Sequence, residues 1–186
     1  NVVETLGAGT RTRVLSNTGY TVGHLVTHAA SFTYGPSIGY HIGQVDQLTF
    51  LSVPSRQLHA ELIDCRAGSP SLRHRVHLRF STSPTRRLVI PAGVAHTFHG
   101  IGGVLTRNDL LLFSPTEGGL WRVEDDLASI PIDTPLHKIN PVKVNSLLLP
   151  RPVALFFYRL QSTQMRGGPV VAHAGELAVS QTPDAS

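Results

Sequence analysis

This 186-residue sequence has a single cysteine and lacks long apolar runs. Cys65 is its one cysteine, which excludes an internal disulfide and fits a reducing compartment. No apolar run approaches the roughly 18 residues of a membrane span, and the first residues lack the apolar core of a leader. We therefore expect a cytoplasmic protein without a membrane partner.

Charge is also sparse, since charged residues make up 15% of the chain and its net charge is +4. Arginines cluster in part, at 11–13, 73–75 and 86–87. A nucleic-acid surface would need a higher density of Lys and Arg with interleaved aromatic residues. We therefore expect no nucleic-acid partner, whereas an anionic small molecule stays possible.

Long segments with the 3.6-residue period of a helix are absent, and 17 glycines and 13 prolines separate short apolar runs instead. Many short strands at near-regular spacing indicate a sandwich or barrel. We expect a single domain over 1–186, with an N-terminal arm at 1–13 and a disordered tail at 181–186. The predicted strands lie near Tyr20–Thr27, Leu48–Val53, Leu58–Cys65, Val76–Phe80, Leu88–Ile90, His96–Phe98, Val104–Thr106, Leu110–Phe113, Val142–Leu149, Val153–Leu160 and Val170–Val179.

A turn is predicted within RRLVIPAGVAHTFHGIGG (86–103), where a short apolar strand precedes a second strand that carries His96 and Phe98. Pro91 lacks a backbone donor and Gly93 tolerates unusual dihedral angles, so together they end the first strand. Whether His96 has a chemical role depends on what else lines the same pocket.

The pattern His-x-His occurs nowhere among the ten histidines. That spacing would point two imidazoles to the same face of a strand, as a metal site on a strand requires. The pairs at 74/77 and 96/99 are three residues apart, which puts their members on opposite faces. We therefore predict that the protein holds no metal and no other cofactor.

Four stretches, in order and with plausible spacings, resemble the dTDP-4-dehydrorhamnose 3,5-epimerase family: THAASFTYGPSIGYHIGQ (27–44), LIDCRAGSPSLRHRVHLRFS (62–81), RRLVIPAGVAHTF (86–98) and TEGGLWRVEDDLASIPI (116–132). The resemblance covers about residues 27 to 132. It implies an all-β fold, a cupin-type jelly-roll barrel, and a homodimer that acts on a small-molecule substrate.

The family uses a histidine base beside a keto group, an aspartate partner, a lysine that steadies the enolate and a tyrosine acid. The resemblance places the base at His41. Gln47 stands near the lysine position, Ile38 replaces an arginine that contacts phosphate, and the strand at 104–110 holds no tyrosine. Ordinary 3,5-epimerisation is therefore expected to be weak or absent.

His41 and Asp109 are the predicted catalytic residues, because an imidazole suits proton transfer near neutral pH and a carboxylate can act as its partner. Arg107 and Asp109 alternate on one strand, so one face would present both to the pocket. Asp125 and Asp126 are interpreted as a solvated turn. The predicted substrate-binding residues are Gln47, His96, Phe98, Arg107, Leu105 and Tyr34, with Tyr34 a candidate phenolic acid.

The resulting hypothesis is a metal-free isomerase or epimerase-like enzyme that acts on a small carbonyl-bearing compound, either a sugar nucleotide or a secondary metabolite. One alternative is a cyclase of natural-product biosynthesis with an apolar pocket. Another is a cupin that binds a small molecule without catalysis.

Overall fold

The structure is a computed structural model that describes residues 3–5, 10–15, 20–115, 121–122, 126–156 and 171–172. Side chains are described within 20–115 and 126–156. These residues form β-strands with one 3-10 turn, Leu136–Lys138, and one short helix at 151–156.

The larger sheet is antiparallel and has seven strands. Its strands are β1 (Val3–Thr5), β2 (Thr10–Leu15), β3 (Val22–His28), β5 (Gln44–Leu51), β8 (Leu88–Ile90), β10 (Leu105–Ser114) and β13 (Leu147–Leu148). Their order is β1-β2-β3-β10-β5-β8, and β13 pairs with β10. Asn108 of β10 lies opposite His24 on one side and Leu48 on the other.

The second sheet has five antiparallel strands, β4 (Ser37–His41), β6 (Gln57–Asp64), β7 (Arg75–Ser81), β9 (Val94–His99) and β12 (Leu127–Pro131). Their order is β12-β4-β9-β6-β7. A separate two-stranded ribbon joins β11 (Trp121–Arg122) to β14 (Val171–Ala172).

A buried core between the two sheets holds them together, with Leu48 and Phe50 from one sheet packed against Leu58 and Phe98 from the other. Full burial of a side chain of this size contributes roughly 1.5–3 kcal/mol. A second cluster, which includes Ile38, Tyr40, Ile63, Ala95 and Ile139, covers the outer face of the smaller sheet. The predicted all-β fold class is confirmed, since the described residues form two antiparallel sheets that pack against each other.

Two segments differ from the strands predicted for them. Residues 105–106 of the predicted strand Val104–Thr106 and the predicted strand Leu110–Phe113 belong to one continuous strand, β10, because paired strands on both sides span the polar residues between them. The predicted strand Val153–Leu160 overlaps a helix at 151–156, and residues 157–160 lie outside the described part of the chain. Pro152 suits the first turn of a helix, where its missing N–H has no intrahelical partner to lose.

Other predictions near the ends have mixed outcomes. Of Val142–Leu149, only Leu147–Leu148 form a strand, and Val142 makes an isolated bridge to Arg66. Of Val170–Val179, the backbone of 171–172 is described as β14, and the tail at 181–186 lies outside the described residues. The extent of the domain and the homodimer stay predictions. Within the described part of the chain, no helix has the length and apolarity needed to cross a membrane.

The turn predicted at Pro91 and Gly93 is formed. Gly93 follows Pro91 and Ala92 with a φ of 75°, a conformation that favours glycine. In the turn after β6, Asp64 and Arg66 form an ion pair, at 2.7 Å between Arg66 Nη2 and Asp64 Oδ2.

Candidate functional site

A cavity of about 190 Å³ lies between the two sheets and is bordered by both. Its apolar part is continuous with the core through Phe50 and Phe98. The polar part is rich in histidine. The lining residues are His24, Val26, His28, Tyr34, His41, Gln44, Asp46, Leu48, Phe50, His96, Phe98, Ile101, Thr106 and Asn108.

His41, at the end of β4, is held by a buried carboxylate from the beginning of the β12 segment. Its Nδ1 lies 2.9 Å from Asp126 Oδ2, and the Gly43 backbone N–H donates to Asp126 Oδ1 at 2.6 Å. The Ile42 N–H also donates to the Asp126 backbone carbonyl, at 2.7 Å. Because the carboxylate accepts at Nδ1, that nitrogen carries the proton of the neutral imidazole and Nε2 holds the free lone pair.

Gly43 is needed for this close approach. A Cβ at this position would lie 2.4 Å from the Phe113 carbonyl oxygen, 2.7 Å from Asn145 Nδ2 and 3.0 Å from Asp126 Oδ1. The absence of a side chain therefore lets the backbone N–H reach the carboxylate.

The electrostatic setting favours a basic His41. Burial is the largest single effect and lowers its pKa, but the hydrogen bond to Asp126 and the charges of Asp46 and Asp126 together raise the pKa above its ordinary value. His41 combines an oriented ring, a raised pKa and a position in the cavity wall, which are the properties of a general base.

Asp46, on β5, is a second buried carboxylate of the cavity. Its Oδ1 accepts hydrogen bonds from Gln44 Nε2 at 2.6 Å and from Asn108 Nδ2 at 2.7 Å. The Gln47 backbone N–H donates to Asn108 Oδ1 at 2.9 Å, and this contact fixes which end of the Asn108 amide faces Asp46. Although burial raises the pKa of Asp46, the charges of His41 and His96 and the two hydrogen bonds lower it overall, so the group is ionised.

The other histidines of the cavity are neutral near pH 7. Burial lowers the pKa of His24 to about 4, against the opposing charges of Asp46 and Asp109. Burial also lowers the pKa of His28 and of His96. The His96 Nδ1 donates to the Val94 carbonyl at 3.1 Å, and its Nε2 lies 3.6 Å from Asp46 Oδ2, beyond hydrogen-bond distance.

Tyr34 is a phenol at the exposed side of the cavity. Its ring packs against Phe32 at 5.2 Å and Phe98 at 6.2 Å between centroids. Desolvation, and then the charge of Asp46, raise the pKa of Tyr34 to about 12. The hydroxyl therefore stays protonated near neutral pH and is available as a hydrogen-bond donor.

Four of the predicted site residues lie together in the cavity wall: His41, Tyr34, His96 and Phe98. Tyr40 faces away from them into the outer cluster, as expected for the neighbour of His41 in a strand.

The other four, Gln47, Leu105, Arg107 and Asp109, are not part of the described cavity lining. The alternation of side chains explains this, because Asp46 and Leu48 of β5 and Thr106 and Asn108 of β10 face inward. Their odd-numbered neighbours therefore face outward.

On the outer face of the larger sheet, three of these residues take part in a network of polar contacts. The guanidinium groups of Arg87 and Arg107 bind Asp109 at 3.2 and 2.9 Å, and Arg87 also donates to Gln47 Oε1 at 2.7 Å. Arg107 and Asp109 share one face, as expected, but it is the face opposite the cavity. Asp109 therefore lies outside the described lining of the cavity that contains His41, contrary to its expected placement.

Asp126 is a residue of the candidate site that the sequence interpretation placed wrongly. It was interpreted as part of a solvated turn, and it is 2% exposed and bonded to His41. The stretch TEGGLWRVEDDLASIPI, which carries part of the family resemblance, contained the signal. Asp46 and Gln44 were also missed, although they alternate with apolar Leu48 and Phe50 on one face of β5.

Metal binding is not indicated by the side chains that the structure describes. Among them, no group of three or more His, Cys, Asp or Glu residues is arranged to hold a metal ion. Metal independence stays a prediction.

Of the comparisons with known proteins, only the one with solved structures found similar chains. No protein-family model matches the sequence, and no curated protein matches it. The chain is similar to a structure of CapF with the inhibitor 3-isopropenyl-tropolone, at 12% identity and a TM-score of 0.45, over 68% of this chain and 33% of that one. It is also similar to the capsular polysaccharide assembling protein CapF from Staphylococcus aureus, at 11% identity and a TM-score of 0.42, over 62% and 30% of the two chains.

A third similar structure is hydroxypropylphosphonic acid epoxidase from S. wedmorenis, at 14% identity and a TM-score of 0.38, over 58% of this chain and 54% of that one. The matched region thus spans about a third of each CapF chain and about half of the epoxidase. No substrate, activity or cofactor of this chain follows from these similarities.

Proposed function

We propose that this chain is a metal-free isomerase or epimerase-like enzyme that moves a proton on a small carbonyl-bearing compound. The observation that carries the proposal is the contact of His41, a residue of the cavity wall, with Asp126 at 2.9 Å. A buried carboxylate that orients an imidazole and favours its protonated form is a common arrangement for a general base.

In the proposed reaction, Nε2 of His41 removes a proton from the carbon next to the carbonyl group. The electrons of the C–H bond form the enolate, whose negative charge moves onto the carbonyl oxygen. The Tyr34 hydroxyl donates a hydrogen bond to that oxygen, and Asp126 stabilises the imidazolium. Delivery of a proton from a water molecule to the other face of the same carbon gives an epimer and leaves the first proton on His41, which then loses it to solvent. Return of the first proton from His41 to a neighbouring carbon gives an isomer.

The cavity favours a small substrate without negative charge. Its volume is below the 300–1,000 Å³ typical of pockets for drug-sized ligands. The described lining contains the ionised Asp46 and no Lys or Arg. A keto sugar or a similar uncharged carbonyl compound therefore suits the cavity better than the phosphate groups of a sugar nucleotide.

Deuterium exchange tests this function directly. The protein is incubated in D₂O with a panel of uncharged keto sugars and hydroxy ketones, and loss of the proton signal next to the carbonyl group is followed by NMR. We expect enzyme-dependent exchange for at least one compound and a loss of about a hundredfold or more in His41→Asn. His99→Asn, which changes an exposed histidine of β9, serves as the matched control and should exchange at the normal rate.

The same experiment separates the alternatives. A cyclase would convert its substrate to a product with a new ring, whereas an isomerase exchanges the proton without changing the skeleton. A binding protein would show chemical-shift changes at cavity residues without any exchange. Exchange that is unaffected in His41→Asn would contradict the proposed base.

A further inference from the structure

A second cavity, of about 200 Å³, opens at the seam where the last strands of the two sheets face each other. We name this cavity the arginine groove. Its lining consists of the apolar side chains Phe50, Leu78, Phe80 and Leu88 and the polar side chains Arg79, Ser81, Ser83, Arg86 and Arg87.

The groove exists because β7 and β8 are edge strands of different sheets. The chain passes from β7 to β8 through residues 82–87, and no pairing between these two strands is described. The seam therefore leaves Leu78, Phe80 and Leu88 only partly buried against the inner core. These side chains provide the groove with an apolar floor.

The rim of the groove carries an excess of positive charge. Arg87 is engaged by Gln47 and by Asp109, a carboxylate that it shares with Arg107. Arg86 makes one long contact, 3.4 Å from its Nη2 to the Ser81 carbonyl. Arg79 and Arg86 are exposed, and neither belongs to an ion pair recorded for the described residues.

Arg79, Arg86 and Arg87 border the groove, and no acidic residue belongs to its described lining. Guanidinium groups bind carboxylates and phosphates through paired N–H donors.

An aromatic floor adds a second requirement for the ligand. The Phe80 ring lies 5.3 Å from Phe50, and Phe50 lies 5.0 Å from Phe98 of the neighbouring cavity. Phe50 borders both cavities. Aromatic side chains in such a floor favour a flat apolar group, which gains contact area as it leaves water.

We propose that the arginine groove is a second binding site, selective for a small organic anion in which a carboxylate or phosphate is attached to a flat apolar body. The acid group would lie against Arg79 and Arg86 and the apolar body against Phe80 and Leu78. The site is separate from the histidine cavity and does not depend on the proposed enzymatic function.

Binding of phenyl phosphate, benzoate and inorganic phosphate to the whole protein tests this proposal, with chemical-shift changes in isotope-labelled protein locating the site. We expect phenyl phosphate or benzoate to bind at millimolar concentration and to shift signals of residues 78–88. A comparison of these two probes shows which acid group is preferred. Inorganic phosphate should bind more weakly than phenyl phosphate, because it leaves the apolar floor uncovered.

The double variant Arg79→Gln/Arg86→Gln should weaken binding of the better probe by about tenfold or more, because hydrogen bonds to charged groups are lost. Both side chains are exposed, so the change should leave the fold intact. Arg151→Gln removes one positive charge outside the groove lining and should leave the affinity within about twofold. The proposal is overturned if neither organic probe binds, if inorganic phosphate binds as tightly as phenyl phosphate, or if Arg151→Gln weakens binding as much as the double variant.

Discussion

His41, in the wall of a small cavity, and Asp126 are 85 residues apart in the sequence, and their side chains meet at 2.9 Å. The pairing of β12 with β4 brings them together, because Leu127 lies opposite His41 in the register of these strands. The contact therefore depends on a non-local strand pair as well as on the two side chains.

Removal of the Asp126 charge should lower the pKa of His41. In Asp126→Asn, the imidazole loses its charged acceptor, so we expect NMR titration to show a clear downward shift of the His41 pKa. If the proposed reaction is correct, the rate at pH 7 should fall by about a hundredfold, and the acid limb of the pH profile should move to lower pH. Asp133→Asn, at an exposed aspartate, is the matched control. An unchanged His41 pKa in Asp126→Asn would contradict this assignment.

His24 should make the fold sensitive to acid. Its pKa is about 4 in the folded protein, below the 6.5 of an ordinary histidine, so the unfolded chain binds more protons between these values. The contribution of neutral His24 to stability is therefore present above pH 6.5 and is lost as the pH falls toward 4. The difference corresponds to about 3 kcal/mol.

Urea unfolding at pH 7 and pH 4 measures this effect. The fall in the free energy of unfolding between the two pH values should be about 3 kcal/mol smaller in His24→Gln than in the unmodified protein. In His99→Gln, at an exposed histidine, the fall should be as in the unmodified protein. An equal fall in His24→Gln would mean that His24 does not titrate in this range.

Asp64 should stabilise the turn between β6 and β7. Its carboxylate accepts from the Arg66 backbone and side chain and from the hydroxyl groups of Ser69 and Ser71, and these contacts hold its pKa well below the ordinary value. Asp64→Asn should lower the free energy of unfolding at pH 7 by about 2–4 kcal/mol.

The sign of the pH dependence provides a further check on Asp64. The folded pKa is depressed, so the stabilisation is present above the unfolded pKa of about 4 and is lost as the pH falls through the folded value. The difference between Asp64→Asn and the unmodified protein should therefore shrink in acid. A difference that is constant from pH 7 to pH 2 would indicate loss of packing instead of loss of charge.

Substrates of the resembled epimerase family should be poor substrates here. We expect little or no deuterium incorporation at C3 or C5 of dTDP-4-keto-6-deoxyglucose, followed by NMR in D₂O. The described cavity lining provides no lysine for the enolate, and loss of one preorganised donor typically costs about a hundredfold in rate. Robust exchange at either carbon would show that the catalytic residues have been assigned incorrectly.

Metal independence should be visible in both composition and activity. Elemental analysis of untagged, chelator-washed protein is expected to find Fe, Mn, Zn and Ni well below one equivalent per chain. Any exchange activity should persist after the chelator treatment. Near-stoichiometric metal that survives this wash would overturn the prediction.

Much of the fold could be predicted from local sequence patterns. Leu88–Ile90 is a strand with the predicted bounds, and the turn at Pro91 and Gly93 is formed. The patterns failed where long-range contacts decide the structure. The run Arg107–Asp109 lies inside β10 because β3 and β5 pair with it on both sides, although its polar composition suggested a break.

The site could be predicted only in part, because the sequence does not show which face of a strand points into the cavity. The choice of face on β10 decides whether Asp109 or Asn108 reaches the cavity, and a one-residue difference in phase exchanges them. For the same reason, Gln47 was assigned to a pocket that its neighbour Asp46 enters. Asp126 was missed because its burial depends on the pairing of β12 with β4, which local composition does not reveal.

The requirement for glycine at position 43 means that the candidate site is sensitive to substitution at a residue that contributes no side chain to it. Any side chain there would meet the Phe113 carbonyl before Asp126 could accept the backbone N–H. Gly43→Ala should therefore impair the base nearly as severely as a change at His41, although position 43 contributes no functional group. In the divergence of related chains, Gly43, His41 and Asp126 would have to be kept together or lost together.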